Sequence, residues 1–210
     1  MRFKDRGEAA QELSKHLKRG EGFSKKNFVI VSLLRGGVIV GDVLSKKLRS
    51  NHLGLVVTKI SSAMNPELAI GAVSFDVTYL EKEVIHELKI SPKEISTQII
   101  AAEQKFTQTC LQLNIKESDF EDVNGKNVLL VDDGIATGAT AKAGALFMKS
   151  KGAKSVALAV PVAPTTLDLK GFDNIYILYK DFEFKAVSQY YDFFPQVEDE
   201  EVKKLLESKK

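Results

Sequence analysis

The sequence has a single cysteine, no tryptophan and only three histidines among its 210 residues. The lone Cys110 cannot form a disulfide within the chain, and such usage is typical of proteins from a reducing compartment. No apolar run approaches the ~18 residues of a membrane span, and the first residues are charged rather than signal-like. We therefore expect a cytoplasmic protein without a membrane segment.

A large excess of either charge is also absent. Lys and Arg total 30 and Asp and Glu total 28, which leaves a formal net charge of +2. Basic residues do not form a stripe with interleaved aromatics, so we do not expect nucleic-acid binding. Repeats and low-complexity linkers are missing as well. The length is sufficient for a substantial core, and we predict one domain over residues 1–210.

The most informative stretch is residues 128–140, which read VLLVDDGIATGAT. Four apolar residues predict a short buried strand, and Asp132 and Asp133 follow at its carboxyl end. Gly134 and a small-residue turn come next, and a helical pattern then begins. The buried face of that helix is predicted to contain Ala143, Leu146, Phe147 and Ala153.

The small-residue turn is suited to an anion, because backbone amides at a helix start can bind one where no bulky side chain intervenes. Thr137 and Thr140 can add hydroxyl donors to a phosphate held there. The paired carboxylates would repel a lone phosphate, but they suit hydroxyls or a metal close to that phosphate. A ribose 5-phosphate has this arrangement of groups.

A second strand, glycine turn and helix precede this stretch. Residues 28–33 predict the strand, and Arg35, Gly36 and Gly37 come before a helical pattern over residues 38–48. Two glycines allow the backbone to approach a ligand closely. The Arg35 guanidinium can bind phosphate oxygens in a bidentate fork. This turn is therefore a second candidate anion site.

Residues 53–60 predict a third strand, with Lys59 near the edge where doubly wound sheets bind ligands. Lys59 is therefore a candidate phosphate contact. An amphipathic helix is predicted over residues 5–19, and further apolar strands over residues 155–160 and 174–179.

VLLVDDGIATGAT resembles the signature for 5-phosphoribosyl-1-pyrophosphate (PRPP) in type I phosphoribosyltransferases. The resemblance implies that Asp132 and Asp133 hold the ribose 2- and 3-hydroxyls and that residues 136–140 cradle the 5-phosphate. The turn at Arg35 resembles the loop that holds pyrophosphate in this family. That loop often contains a non-proline cis peptide, which we expect before or after Arg35, at Leu34-Arg35 or Arg35-Gly36.

The resemblance also implies a fold and a reaction. The fold is α/β, with a central, mostly parallel sheet flanked by helices, a long helical insertion and a small hood. The reaction moves the 5-phosphoribosyl group of PRPP to a nitrogen acceptor, a nucleobase, with release of pyrophosphate. Mg2+ would accompany PRPP, with Asp132 and Asp133 as its indirect or PRPP-mediated ligands. The implied catalytic residues are Asp132, Asp133 and Arg35. The implied PRPP contacts are Arg35, Gly36, Gly37, Lys59, Asp132, Asp133, Gly134, Ala136, Thr137, Gly138, Ala139 and Thr140.

The acceptor base is left open by the sequence. Family members that act on hypoxanthine and guanine carry a third acid just before the T-G of the signature, where this chain has Ala136. The stretch is closer to the DDLLATGGT form of adenine enzymes, without defining a nucleobase. Many type I enzymes have a mobile lid in the place of residues 61–70. Asn65, Glu67 and Gly71 are candidate site residues there, and Glu67 is the candidate general base.

Three other interpretations stay open. A strand that ends in paired acids also begins receiver domains, and the stretch could be an ordinary turn between a strand and a helix. A catalytically silent regulator that senses PRPP or a nucleotide would use the same fold without turnover. Such regulators bind nucleic acid, for which this chain has no basic face.

Two segments lie outside the minimal family core. Residues 91–115 predict the longest helix, with Ser91 as N-cap and Pro92 in its first turn, and this insertion would cap the base site or form a homodimer contact. Residues 188–208 contain aromatics and then a charged helix from Glu198. The aromatics would line the hood over the base or pack the tail onto the core; they are Tyr190, Tyr191, Phe193 and Phe194.

Overall fold

Eight strands form two sheets in the computed structural model, which describes residues 1–19, 28–66 and 68–207. In chain order the strands are β1 (Phe28–Leu33), β2 (His52–Leu55), β3 (Thr58–Ser61), β4 (Ala69–Ser74), β5 (Val77–Leu80), β6 (Asn127–Val131), β7 (Ser155–Pro164) and β8 (Asn174–Asp181). The central sheet is parallel with the order β2-β1-β6-β7-β8, and an antiparallel sheet has the order β3-β4-β5.

Six α-helices and two 3-10 helices connect or flank these strands in the described part of the chain. The α-helices are α1 (Arg6–Arg19), α2 (Gly37–Leu48), α3 (Lys82–Glu87), α4 (Pro92–Leu113), α5 (Ala139–Ser150) and α6 (Asp199–Glu207). The 3-10 helices span Glu117–Val123 and Val187–Tyr190.

The central strand β6 is buried on both faces, as its unbroken apolar sequence predicts. Leu129 and Val131 pack with residues of α1 and α2 on one face of the sheet. Val128 and Leu130 pack with residues of α5 on the other. Because the strands are parallel, their carboxyl ends lie at the same edge of the sheet, and the packing on both faces supports them.

The sequence correctly predicted most of the elements around this sheet. The first helix, β1, α2 and β6 all lie within one or two residues of their expected bounds, and α5 begins where expected. The long helix α4 also forms as predicted: the Glu94 backbone N–H donates to Ser91 Oγ at 3.2 Å, and Asn114 ends the helix in a left-handed conformation. Ile99, Ala102 and Phe106 of α4 pack against the antiparallel sheet, so the inserted helix covers that sheet.

The predicted strand over residues 53–60 was wrong in one respect. The segment divides into β2, which pairs with β1 in the parallel sheet, and β3, which pairs with β4 in the antiparallel sheet. Val56 and Val57 separate the two strands. Because these residues are as apolar as their neighbours, the hydrophobic pattern contained no sign that the chain changes sheets.

Two smaller predictions also need correction. Leu146 is 45% exposed rather than buried, and Ala153 lies beyond the end of α5. The strand predicted over residues 174–179 is the half-exposed edge strand β8. For the tail, the second of the two alternatives holds at Tyr190 and Tyr191: both are buried in a cluster with the N-terminal segment and β7, so they pack the tail onto the core.

Candidate active site

The loops after β1 and β6 leave the same edge of the sheet, because these two strands are parallel neighbours. Gly36 and Gly37 of the first loop lie directly against the acids of the second. A Cβ atom built on Gly36 would be 2.0 Å from Asp133 Oδ2, and one on Gly37 would be 3.1 Å from Asp132 Oδ1. Only glycine permits so close an approach of the backbone at Gly36. The structure therefore brings the two predicted motifs together.

The first loop has the backbone feature expected from the family resemblance. The peptide bond between Leu34 and Arg35 is cis, which is the first of the two predicted positions. The Arg35 side chain forms an ion pair with Asp199, the first residue of α6, with 2.5 Å between Nε and Oδ1. About a third of each side chain is exposed, so solvent screens this pair considerably.

The two acids have different environments. Asp132 is partly exposed at the sheet edge, and its Oδ1 accepts a hydrogen bond from the Asp133 backbone N–H at 2.8 Å. Burial and then the charge of the Asp133 carboxylate raise the pKa of Asp132 well above its usual value. Asp133 is buried, and its Oδ2 accepts from Arg6 Nε at 2.6 Å. Burial raises the pKa of Asp133, and the Arg6 guanidinium acts in the opposite direction.

Arg6 was not predicted as a site residue. It is the first residue of α1 and reaches the acid loop from a sequence distance of 127 residues. Its Nη1 also donates to the Pro195 carbonyl at 2.7 Å, and its guanidinium lies 3.6 Å from the centre of the Phe194 ring. Tyr191 Oη donates to the Asp133 carbonyl at 2.5 Å. No local sequence pattern could have indicated these contacts.

The candidate phosphate loop has the expected form. Gly138 has a positive φ of 82°, and α5 begins at the next residue. Ala136 and Thr137 are exposed, whereas Gly138 and Ala139 are buried and Thr140 is half-buried. The turn thus exposes its first residues above the amino end of a helix of 12 residues, where backbone amides favour an anion.

Gly134 has a structural reason to be glycine. A Cβ atom there would lie 2.6 Å from Val187 Cγ1 and 2.7 Å from Val162 Cγ2. The neighbouring Ile135 backbone N–H donates to the Val162 carbonyl at 3.0 Å. These contacts fix the loop to β7 and to the segment after β8.

The remaining predicted site residues lie on or near the antiparallel sheet. Lys59 is half-buried on β3, opposite Ala72. Gly71 on β4 is close to β5, because a Cβ atom there would lie 2.2 Å from the Tyr79 carbonyl oxygen. Asn65 is exposed in the loop between β3 and β4, and Glu67, the candidate general base, lies outside the described residues.

A cavity of about 520 Å³ lies beside the phosphate loop and includes Ala136 and Thr137 in its wall. The cavity lining also includes Lys142 of α5, whose Nζ donates to Glu81 Oε1 at 3.0 Å, and Tyr79, whose Oη donates to Glu81 Oε2 at 2.9 Å. Burial raises the pKa of Tyr79. This polar cluster was not predicted, because Glu81 and Lys142 are 61 residues apart in the chain.

Neither a protein-only metal cluster nor a membrane helix occurs in the described residues. Over residues 1–19, 28–66 and 68–207 there is no group of three or more His, Cys, Asp or Glu side chains that could hold a metal ion. The helices described in the same ranges are all too short or too polar to cross a membrane.

This architecture is the type I phosphoribosyltransferase fold. A hypoxanthine-guanine phosphoribosyltransferase (hpt-2) from Bacillus anthracis aligns with a TM-score of 0.51 and 11% identity, over 93% of this chain and 95% of that one. The protein TT1426 from Thermus thermophilus aligns with a TM-score of 0.74 and 28% identity, over 100% and 99% of the two chains. At 11% identity, the similarity to the Bacillus enzyme shows a shared fold and nothing further.

The chain belongs to the phosphoribosyl transferase domain family, which matches residues 3–176. A curated protein from Mycobacterium tuberculosis, "Putative phosphoribosyl transferase Rv0571c", is 34% identical over 215 residues. That alignment covers 98% of this chain and 46% of the relative. The chain therefore spans about half the length of the curated relatives it matches.

Proposed function

We propose that the protein transfers the 5-phosphoribosyl group of PRPP to a nitrogen acceptor, with release of pyrophosphate. The observation that carries this proposal is the direct apposition of two loops at one sheet edge. Gly36 lies so close to Asp133 that no side chain fits between them. PRPP has a ribose with phosphate groups at both ends, and two adjoining loops of this kind suit such a ligand.

The loop of residues 136–140 binds the 5-phosphate in this proposal. Thr137 is exposed and Gly138 turns the chain into α5. The amides at the start of α5 supply partial positive charge, and the threonine hydroxyls supply further donors. Asp132, at the exposed side of the acid pair, accepts hydrogen bonds from ribose hydroxyls.

The pyrophosphate half lies at the loop of residues 34–37 in this proposal. Arg35 uses Nε for Asp199, and a guanidinium has five N–H donors in a planar fork. Pyrophosphate can therefore share or displace the acid at Arg35. Lys59, which is half-buried on β3, would add a second cation to the same end of the ligand.

Mg2+ fits this site as an ion that binds together with PRPP. Magnesium usually keeps several waters and binds through one or two carboxylates plus substrate phosphates. Asp132 is a partly exposed residue that provides one carboxylate, and the Asp133 carboxylate already accepts from Arg6. When bound with the substrate, the ion would neutralise charge on the leaving pyrophosphate.

The proposed chemistry is a displacement at C1 of the ribose. A bond forms between C1 and the acceptor nitrogen, and the bond between C1 and the pyrophosphate oxygen breaks. The electron pair of the broken bond leaves with pyrophosphate, and the acceptor releases its proton. Binding of PRPP at both of its phosphate ends fixes the position of C1, and such positioning can lower the activation free energy by ~7 kcal/mol or more.

The test is a calorimetric titration with PRPP and Mg2+, followed by a pyrophosphate-release assay with a panel of nucleobases. We expect PRPP to bind and one class of base to trigger pyrophosphate release. The matched control is Asp132→Asn, which keeps the shape of the side chain and removes its charge.

Two results would contradict the proposal. Failure of the wild-type chain to bind PRPP would exclude any PRPP-dependent function. PRPP binding without release by any base, together with salt-sensitive retention of nucleic acid, would favour the silent regulator instead.

A further inference from the structure

The acid pair is asymmetric, and the asymmetry comes from Arg6. The Arg6 and Asp133 side chains are only 7% and 12% exposed, and their Nε and Oδ2 atoms are 2.6 Å apart. Charged hydrogen bonds of this length are strong, and a buried carboxylate strongly prefers such a partner. The Asp133 carboxylate therefore already has a cationic partner within the protein.

Arg6 is itself fixed by the C-terminal segment. Its Nη1 donates to the Pro195 carbonyl at 2.7 Å, and its guanidinium carbon lies 3.6 Å from the Phe194 ring centre. Phe194 in turn stacks on Tyr191, with ring centres 4.7 Å apart. Tyr191 Oη donates to the Asp133 backbone carbonyl. Asp133 is therefore bound at its backbone by the C-terminal segment and at its side chain by Arg6 of α1.

The glycine loop covers the same carboxylate oxygen. A Cβ atom on Gly36 would be 2.0 Å from Asp133 Oδ2, and the next nearest neighbour outside Asp133 is Arg6 Nε at 3.4 Å. Asp133 Oδ2 is thus enclosed between Arg6 and the backbone of Gly36. Asp132 differs, because its residue is partly exposed at the sheet edge.

We propose that the two carboxylates have separate roles, and this rests on the proposed function. Asp132 is the carboxylate that touches the ribose hydroxyls. Asp133 is a positioning residue. It joins the acid loop to α1 through Arg6, and it fixes how closely the Gly36 backbone approaches the acid loop. The Arg6–Asp133 ion pair is then required for the shape of the site, and neither of its charged groups contacts the ligand.

A neutral exchange of the pair tests this division. Arg6→Gln combined with Asp133→Asn replaces both charges with amides that can still form a hydrogen bond. The matched variants are Asp132→Asn, in which the proposed ligand contact is changed, and Arg6→Gln alone, which leaves a buried carboxylate without its cation. Each is titrated with Mg2+ and PRPP, and then with ribose 5-phosphate, after thermal unfolding has confirmed a folded state.

We expect Asp132→Asn to weaken PRPP binding about a hundredfold or more, because a charged contact to two hydroxyls is lost. The neutral double variant should stay within about tenfold of the wild type. Arg6→Gln alone should bind PRPP more weakly than the double variant, since an uncompensated carboxylate then faces an anionic ligand. A role confined to folding would leave the affinities of folded single and double variants equal.

The inference is overturned if the folded double variant loses as much affinity as Asp132→Asn. It is also overturned if the wild type and the folded Arg6→Gln variant bind PRPP equally. If the wild type does not bind PRPP at all, both this inference and the proposed function fail.

A measurement on the wild-type chain tests the same division of roles without comparing the affinities of variants. The carboxyl carbons of labelled aspartates are followed by NMR during titration with ribose 5-phosphate. The folded Asp132→Asn variant and the folded double variant identify the two resonances. A larger shift at Asp132 than at Asp133 supports the division of roles. A larger shift at Asp133 overturns it.

Discussion

The two sheets of this chain contribute to the proposed site in different ways. The parallel sheet contributes loops: the turn at Gly36 and the acid loop are both short continuations of buried neighbouring strands. In the proposed function the antiparallel sheet would contribute a single side chain, Lys59 of β3. The parallel half of the proposed site thus depends on the close approach of two backbone segments, and the antiparallel half depends on one charge.

This difference should appear in how substitutions act. In the parallel half, a small change in volume disturbs the positions of several groups at once, because protein interiors are closely packed. In the antiparallel half, a substitution at Lys59 removes one charge and does not alter the two loops of the parallel sheet. The predictions below test that contrast through the affinity for PRPP, from the largest effect to the smallest.

The largest effect should come from Gly36→Ala. The added Cβ would lie 2.0 Å from Asp133 Oδ2 and 2.8 Å from its Cγ, so the loop, the acid or both must move. Overpacking of this kind costs about 1–3 kcal/mol of folding stability. We expect PRPP affinity to fall by about a hundredfold or more, since both halves of the ligand lose alignment.

The control for this substitution is Gly7→Ala in α1. Its Cβ would meet only Asp5 Oδ1, at 3.1 Å, and this atom accepts from the Glu8 backbone N–H at 2.9 Å, so the Asp5 side chain must shift slightly. Alanine is favourable inside a helix by about 0.5–1 kcal/mol relative to glycine. Normal PRPP binding by Gly36→Ala would show that the two loops do not position the ligand together.

Lys59→Met should have an intermediate effect. If Lys59 contacts the pyrophosphate half, loss of its charge should weaken PRPP binding about tenfold, which corresponds to about 1.4 kcal/mol. The wild-type affinity should also decline more steeply with salt than that of the variant. Lys93→Met on the exposed start of α4 is the control. Equal affinities and salt slopes for Lys59→Met and wild type would exclude the contact.

The same contrast explains what the sequence could predict. Each motif of the parallel sheet is a strand, a turn and a helix in one continuous stretch, so local rules were sufficient for the acid loop. The cis bond before Arg35 was expected from the family resemblance alone. The match to the phosphoribosyl transferase family over residues 3–176 confirmed the resemblance on which those predictions depended. The parallel sheet and its flanking helices were therefore predictable, whereas the separate antiparallel sheet was not.

The partners of these motifs were not predictable from local patterns. Arg6 meets Asp133 across 127 residues, and Arg35 meets Asp199 across 164 residues. Both contacts depend on where the chain termini pack, which periodicity does not specify. Gly134 illustrates a related limit, because its small size is needed for contact with Val187, a residue far along the chain.

The smallest effect on PRPP affinity should follow changes where the antiparallel sheet meets α5. Lys142 Nζ and Glu81 Oε1 are 3.0 Å apart, and the two side chains are 14% and 17% exposed. Loss of one partner leaves a poorly solvated charge, so Lys142→Met and Glu81→Gln should each lower the free energy of unfolding by about 1–2 kcal/mol. The double variant should lose less than the sum of the two, which urea unfolding would measure as a coupling energy.

PRPP affinity of the Glu81→Gln variant should change less than about threefold, because this pair joins the sheet to α5 and does not form part of the two loops. Additive losses of stability would mean that the pair contributes nothing as a unit. A loss of PRPP affinity as large as that of Gly36→Ala would contradict the comparison itself, since a side chain of the antiparallel sheet would then matter as much as the backbone of the parallel one.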